Sequence, residues 1–262
     1  MSPTGQDLLR AYDEQLRTDA ETPSAIRVER LGPLRLVTFA GGEGFVTYRD
    51  LGGADQPTIR SWVEQALARY RRDGAWRVEW KTRGHDRAPG LNEALLDHGF
   101  VAAEQEAIMI GPARALAIEV PLPAGIVVEG ASTSTQIQAA LIAQDEIFGE
   151  PLPPAAHERL LERALAGDGV EIWLARAGDT VVSAGRLEPV AGTDFAGIWG
   201  GATRQEWRHQ GIYRALTAAR ASSALAGGKT LIHSDSTPFS QPILERAGLV
   251  AVSTTTPYFW RP

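Results

Sequence analysis

Hydrophobic residues recur along this chain with two periods, one typical of amphipathic helices and one typical of strands. One face of the strongest helical pattern carries Ile59, Val63, Ala66, Leu67 and Tyr70, and Gly74 ends it. The patterns predict helices at residues 5–19, 59–73, 91–98, 134–148, 157–166, 212–226 and 239–247. They predict strands at residues 26–31, 34–39, 45–48, 76–81, 104–110, 126–129, 171–176, 180–187, 195–203, 230–234 and 249–259.

This mixture of strands and helices predicts the α/β fold class, with a mixed central sheet flanked by helices in each half of the chain. Residues 111–125 are rich in proline and alanine and form a predicted linker between a domain at 1–115 and a domain at 125–262. The segment 94–102 resembles the segment 243–251, since each ends a helix at a glycine and continues as a strand. We interpret this internal similarity as a duplication of one fold.

The composition is that of a folded globular protein, with 44% hydrophobic and 22% charged residues among 262. The formal net charge of -6 disfavours nucleic acid as a partner, because such a partner favours a basic surface. The absence of cysteine excludes disulfides, thiolate zinc sites and a cysteine nucleophile, and it fits a reducing cytoplasm. The first residues do not form a signal peptide, and no apolar run is long enough to span a membrane. We therefore expect a cytoplasmic protein.

A short basic loop joins the predicted strand 195–203 to the helix that follows it. This order directs the free N–H groups of the helix start, and the positive end of the helix dipole, at one point. Arg208, His209 and Arg214 add cationic side chains around that point, and Gly211 allows the backbone to approach an anion closely. The loop is therefore a candidate phosphate-binding site.

The second half resembles the GNAT acetyltransferase superfamily. The family signature, Arg/Gln-x-x-Gly-x-Gly/Ala at a helix start after a splayed strand, is matched at Arg208 and Gly211, whereas Tyr213 stands where a small residue is usual. The resemblance implies acetyl-CoA as co-substrate, with its pyrophosphate on the N–H groups of residues 209–214. The cofactor-binding residues that it implies are Gly201, Ala202, Thr203, Arg208, His209, Gln210, Gly211, Ile212, Tyr213 and Arg214. The first half resembles a degenerate copy of the same fold without such a loop.

In the family, freed backbone groups of the splayed strand pair with the pantetheine amides, and here an N–H of Ala202 or Thr203 could stabilise the oxyanion. Many members place a tyrosine four residues before the glycine of the last helix, where it protonates the leaving thiolate. That position is Leu244 here, and Thr237 stands near the place of the usual asparagine. Tyr258 is a substitute candidate for the acid, although a thiolate also leaves readily without one.

Acetyl transfer to an amine further requires the ammonium group to lose a proton. Glu146 and Glu150 lie at a helix end that could border the acceptor pocket, and each alone is more readily interpreted as a solvated surface carboxylate. His233 lies in a predicted central strand, either as a base or as a core histidine. The sequence leaves these alternatives open.

The resemblance thus implies an acetyl-CoA-dependent N-acetyltransferase that modifies a small amine or an amino-acid-like acceptor in a cleft between the halves. The alternative is a catalytically inactive CoA-binding sensor or scaffold, which the residues at 213 and 244 favour. Five scattered histidines without paired spacing predict no metal site. Neither the acceptor nor the oligomeric state, including a homodimer, follows from the sequence.

Overall fold

The computed structural model describes residues 3–149, 151 and 154–262. Within them the helices are α1 (Gly5–Gln15), α2 (Gln56–Arg72), α3 (Leu91–Asp97), α4 (Ala113–Leu116), α5 (Ser134–Phe148), α6 (Pro154–Ala166), α7 (Ile212–Ala226) and α8 (Gln241–Arg246). The strands are β1 (Ala25–Leu31), β2 (Leu34–Phe39), β3 (Glu43–Thr47), β4 (Arg77–Arg83), β5 (Val101–Ala102), β6 (Glu106–Pro112), β7 (Ile126–Gly130), β8 (Glu171–Ala177), β9 (Thr180–Pro189), β10 (Phe195–Thr203), β11 (Leu231–Ser236) and β12 (Val250–Trp260). The predicted α/β class is confirmed.

The chain divides into two compact units, and the first contains the residues up to Ile108 together with Asp235–Phe239 and Ala251–Pro262. Its strands follow the order β1-β2-β3-β4-β12, and β5 also pairs with β12. β3 and β4 are parallel, whereas β12 runs antiparallel to β4. Most of β12 thus belongs to this unit, although β12 comes last in the chain.

Helix α2 shows how the hydrophobic pattern becomes the core of the first unit. Ile59, Val63 and Leu67 are almost fully buried, as their helical spacing predicts. The helix starts three residues before this pattern, because the Thr58 N–H donates to Asp55 Oδ1 at 3.0 Å and so caps the first turn. Burying each of these large side chains stabilises the fold by roughly 1.5–3 kcal/mol, so this face is the main anchor of the helix.

The second unit contains Met109–Ser234 and Ser240–Val250. Its strand order is β6-β11-β10-β9-β8-β7, in which β10 and β11 are parallel while β9 is antiparallel to both β8 and β10. Ile137 and Leu141 of α5 pack on one face of this sheet, and Ile212 of α7 packs with Ala175 and Val182 in a separate cluster. Helices therefore flank the sheet of this unit on both sides.

The predicted linker is partly ordered as helix α4, which lies against α7. It is fixed at its start by the Ala113 N–H, which donates to Thr230 O at 2.8 Å. Alanine-rich sequence explains the extra helix, since alanine has the highest helix propensity. Among the described helices, none combines the length and the apolar character needed to cross a bilayer.

Candidate functional site

The parallel pairing of β10 with β11 is short. It joins Phe195 to Leu231, Ala196 to Ile232 and Gly197 to His233, and it extends no further among the described residues. On the other side of β10 the antiparallel register with β9 shifts between Trp199 and Ala202. Gly200 lies in this bulge with a φ of +59°, a backbone conformation that favours glycine. The strand therefore separates from one neighbour and bulges against the other within the same few residues.

The carbonyl groups of β10 beyond this point accept hydrogen bonds from side chains. The pairs are Ser234 Oγ to Ile198 O (3.0 Å), Arg220 Nη1 to Trp199 O (3.5 Å), Gln144 Nε2 to Gly200 O (2.5 Å), Ser183 Oγ to Ala202 O (2.7 Å) and Arg208 Nε to Thr203 O (3.0 Å). Several elements thus hold the strand in its splayed position. The carbonyl oxygens of these five residues therefore already accept hydrogen bonds.

The direction of the N–H groups at the end of β10 follows from one backbone hydrogen bond. The Arg204 N–H donates to Val182 O of β9 at 2.9 Å. Because successive amides of a strand point to opposite sides, the Ala202 N–H points towards β9 and the Thr203 N–H points away from it. Of the two oxyanion donors predicted from the sequence, Thr203 therefore faces the edge that β11 has left.

The loop after β10 supplies a second set of donors. Gly211 is the N-terminal capping residue of α7, its φ is +81°, and no side chain caps this helix. His209 is the non-glycine residue with a positive φ, +62°, in the described part of the chain. The N–H groups of the first turn of α7 lack acceptors within the helix. Side chains of Arg208, His209, Gln210 and Arg214 are exposed around them, so the loop combines free amides with cationic groups.

The residue at the unusual motif position, Tyr213, lies across β10. A Cβ built on Gly201 would stand 2.8 Å from Tyr213 Cε2 and 3.1 Å from its hydroxyl oxygen. The tyrosine thus fills the space that a side chain at 201 would need. It is not among the atoms nearest to an added Cβ on Gly211, which are Pro121 O at 3.5 Å and Val120 Cγ1 at 3.7 Å, both at ordinary contact distance. The bulky residue is therefore accommodated by the strand and does not block the loop.

Arg220 is a residue of this site that the sequence analysis missed. It is 1% exposed, and its guanidinium donates to Leu216 O, Arg186 O, Trp199 O and Thr217 Oγ1 at 3.2–3.5 Å. Burial lowers the pKa of this guanidinium, and the Tyr213 side chain opposes that effect. The sequence does contain a signal for its burial. Arg220 lies four residues after Leu216 and four before Ala224, which places it on the apolar face of α7.

The candidate catalytic residues do not gather at one point. Glu146 is exposed and forms an ion pair with Arg204 at 2.5 Å, as a surface carboxylate would. Glu150 lies outside the described residues. Tyr258 is 6% exposed in the hydrophobic core of the first unit, where burial raises its pKa. This packing does not favour proton transfer to a ligand.

His233 is the candidate that lies at the splayed strands. It is the last residue of β11 to pair with β10, and it is 9% exposed. The Phe195 and Trp199 rings lie edge-on to its ring at 5.8 Å and 5.1 Å, centroid to centroid. These contacts hold the imidazole within the aromatic packing beside the splayed strands. Among the described residues, no group of three acidic or histidine side chains is placed to hold a metal ion.

No family model and no curated protein matches the sequence. Solved structures do match. A GCN5-related N-acetyltransferase from Kribbella flavida is 17% identical, with a TM-score of 0.69 over 100% of this chain and 96% of that one. One from Sphaerobacter thermophilus is 16% identical, with a TM-score of 0.61 over 100% of this chain and 95% of that one. A tandem GNAT protein from the clavulanic acid biosynthesis pathway is 16% identical, with a TM-score of 0.60 over 87% of this chain and 78% of that one.

At this level of identity the similarity establishes the fold and not the activity. The chain has the GNAT fold over its whole length, and the resemblance predicted from residues 208–213 is confirmed in that sense.

Proposed function

We propose that this protein is an acetyl-CoA-dependent N-acetyltransferase whose co-substrate binds the second unit. The observation that carries the proposal is the combination of the splayed strand β10 with the uncapped start of α7, which follows that strand after a short loop. The strand offers amides to an extended ligand, and the helix start offers amides and positive charge to a diphosphate. Acetyl-CoA has both parts in this order, an acylated pantetheine arm followed by a pyrophosphate.

The residues present fit such a ligand. An added Cβ on Gly211 would meet no atom closer than 3.5 Å, and both His209 and Gly211 adopt a positive φ, a conformation that recurs in anion-binding backbone concavities. Arg208 and Arg214 are exposed beside it and can pair with phosphate oxygens. Each charge-assisted hydrogen bond contributes about 1.5–3 kcal/mol, so a few of them suffice for micromolar affinity.

The acyl group would lie at the bulge of β10. The Thr203 N–H, directed to the free edge, would hold the pantetheine arm or polarise the thioester carbonyl, which makes the carbon more susceptible to attack by an amine. The acceptor amine must be neutral when it attacks, so a base or water has to remove its proton. His233 is the titratable candidate closest to the splay along the strands, and we propose it for this role. The acceptor is proposed to be a small amine.

Two measurements test this function. Isothermal titration with acetyl-CoA should give saturable binding, and thiol release with a panel of small amines should then show turnover. Gly211→Trp should abolish binding, because the indole would occupy the proposed diphosphate position. Gly192→Trp is the control for backbone strain, since Gly192 also has a positive φ (+71°); unlike Gly211, it has no neighbouring atom within 4 Å of an added Cβ. Absence of heat in the wild type at millimolar acetyl-CoA would refute the proposal.

A second candidate is a CoA-binding sensor or scaffold without turnover. It is favoured by Leu244, which is 1% exposed and apolar at the position where relatives are expected to carry a hydroxyl. The thiol-release assay separates the two functions, because a sensor would bind acetyl-CoA but release no thiol with any amine.

A further inference from the structure

The hydroxyl group of Tyr213 lies at the bulge of β10, on the side of α7. Its oxygen is 3.1 Å from the position that a Cβ on Gly201 would take, so it stands directly beside the backbone of that glycine. Tyr213 also lines a small cavity between α7 and α8, together with Thr217, Leu116 and Leu244. The Tyr213 side chain therefore borders both the bulge and this cavity.

Arg220 brings positive charge to the same point. Its Nη2 atom is 3.3 Å from the place that the same added Cβ on Gly201 would occupy, so the guanidinium and the phenol both border that position. Among the described residues, the groups that influence Arg220 electrostatically are Tyr213 and Arg186, and no carboxylate pairs with it. A buried cation without a counter-ion favours negative charge that develops nearby. This part of the site is therefore suited to an anion.

The other hydroxyl of the cavity, that of Thr217, is already engaged. Among the described residues that line it, only Tyr213 and Thr217 carry hydroxyls. Thr217 Oγ1 donates to Tyr213 O at 2.9 Å and accepts from Arg220 Nη2 at 3.2 Å. Leu244 on the facing wall offers no proton. The Tyr213 side chain is hydrogen-bonded to Arg220, and because a guanidinium can only donate, that bond uses the phenol oxygen as acceptor and leaves its proton for another group.

We infer that Tyr213 is the general acid of the proposed transfer and donates its hydroxyl proton to the leaving sulfur of CoA, with Arg220 as a positioning residue behind it. The inference rests on the proposed function, which places the thioester at the bulge of β10. After the amine nitrogen has bonded to the carbonyl carbon, the C–S bond breaks and its electron pair moves to sulfur. The Tyr213 proton passes to that sulfur, and the proton released by the amine nitrogen restores the phenol through solvent. The products are the amide and the CoA thiol.

The test uses CoA itself and needs no acceptor. A hydrogen bond from Tyr213 to the sulfur stabilises the thiolate, so bound CoA should lose its thiol proton at a lower pH than free CoA, whose thiol has an ordinary pKa of about 8.5. The thiolate is followed by its ultraviolet absorbance between about pH 6 and 10, with the complex of desulfo-CoA as blank. Arg214 lines the same cavity as Tyr213, and Arg186 acts electrostatically on Arg220; both arginines are present in every variant.

We expect a downward shift of about one unit or more in the wild type, and loss of at least half of it in Tyr213→Phe, which keeps the ring but removes the hydroxyl. Tyr48→Phe is the matched control, because Tyr48 is a buried residue of the first unit. It should behave as the wild type.

Titration calorimetry with CoA distinguishes failure of the proposed function from failure of the proposed role of Tyr213. If CoA does not bind the wild type, the proposed function fails and this inference falls with it. If CoA binds the wild type and Tyr213→Phe with similar affinity but the thiol titrates identically in both, the cofactor site stands and the role of Tyr213 is refuted. An unshifted thiol in the wild-type complex refutes it equally.

Discussion

Replacing Gly185 with alanine tests whether β9 leaves room for the buried arginine. Gly185 lies in β9 opposite the bulge, and an added Cβ would stand 2.6 Å from Arg220 Nη1 and 2.9 Å from Cζ. Ordinary contact between such atoms is about 3.5 Å, so the guanidinium would have to retreat by about 1 Å. Arg220 is only 1% exposed, so it cannot move into solvent.

That movement would break hydrogen bonds of a charged donor. Nη1 donates to Arg186 O at 3.2 Å and to Trp199 O at 3.5 Å, and both would pass beyond hydrogen-bond range. Bonds to charged groups contribute about 1.5–3 kcal/mol each, and the second is weak at its length, so we take about 3 kcal/mol for the pair. Alanine recovers roughly 0.5–1 kcal/mol relative to glycine in a strand. The expected net destabilisation is about 2 kcal/mol.

The assay is urea unfolding, with the midpoint and the slope fitted together. With a slope of about 2 kcal/mol per molar, the midpoint of Gly185→Ala should fall by about 1 M. Gly130→Ala is the control, because Gly130 is also in a strand and its added Cβ would make ordinary contact with the Trp173 ring at 3.8 Å. In an Arg220→Met background, Gly185→Ala should cost almost nothing, since the clash is absent. An equal cost in both backgrounds would refute the proposed packing.

Three further predictions concern stability. Arg83 is fully buried beside Glu21; burial alone would raise the pKa of Glu21, but Arg83 holds it below its usual value. The stability that this pair contributes is therefore complete above about pH 4.3 and is lost as pH falls through the lower folded pKa. Glu21→Gln should cost up to about 3 kcal/mol at neutral pH and flatten the acid limb of a pH–stability curve. Thr133→Ala removes the capping box of α5 and should lower the free energy of unfolding by about 1 kcal/mol in urea. Glu146→Ala breaks an exposed ion pair and should change stability by less than about 1 kcal/mol while leaving CoA affinity, measured by calorimetry, intact.

The elements of the fold were predictable from local pattern. Ile59, Val63 and Leu67 are buried because helical spacing gives them one face, and Gly211 ends the loop because the turn before α7 needs a positive φ. The pairing partner of the last strand, β12, was not predictable in this way. Its hydrophobic pattern indicates that Val250–Trp260 is a strand but not which sheet it joins, and it pairs with β4, which lies far earlier in the chain.

The candidate site was even harder to predict from local pattern, because its strand glycines leave space for side chains that are remote in sequence. Gly185 and Gly201 look like ordinary strand glycines, yet both border the Arg220 guanidinium, and Gly201 also borders the Tyr213 ring. Read alone, a tyrosine at the motif position suggests an obstructed cofactor loop. In the structure it turns towards Gly201 and leaves the loop open, so the substitution at 213 and the missing side chain at 201 explain each other. A tyrosine placed there brings a hydroxyl to the strand, whereas Leu244 on the other wall of the cavity carries none. Under the role we propose for Tyr213, the two departures from the family pattern are one exchange of position and not two losses.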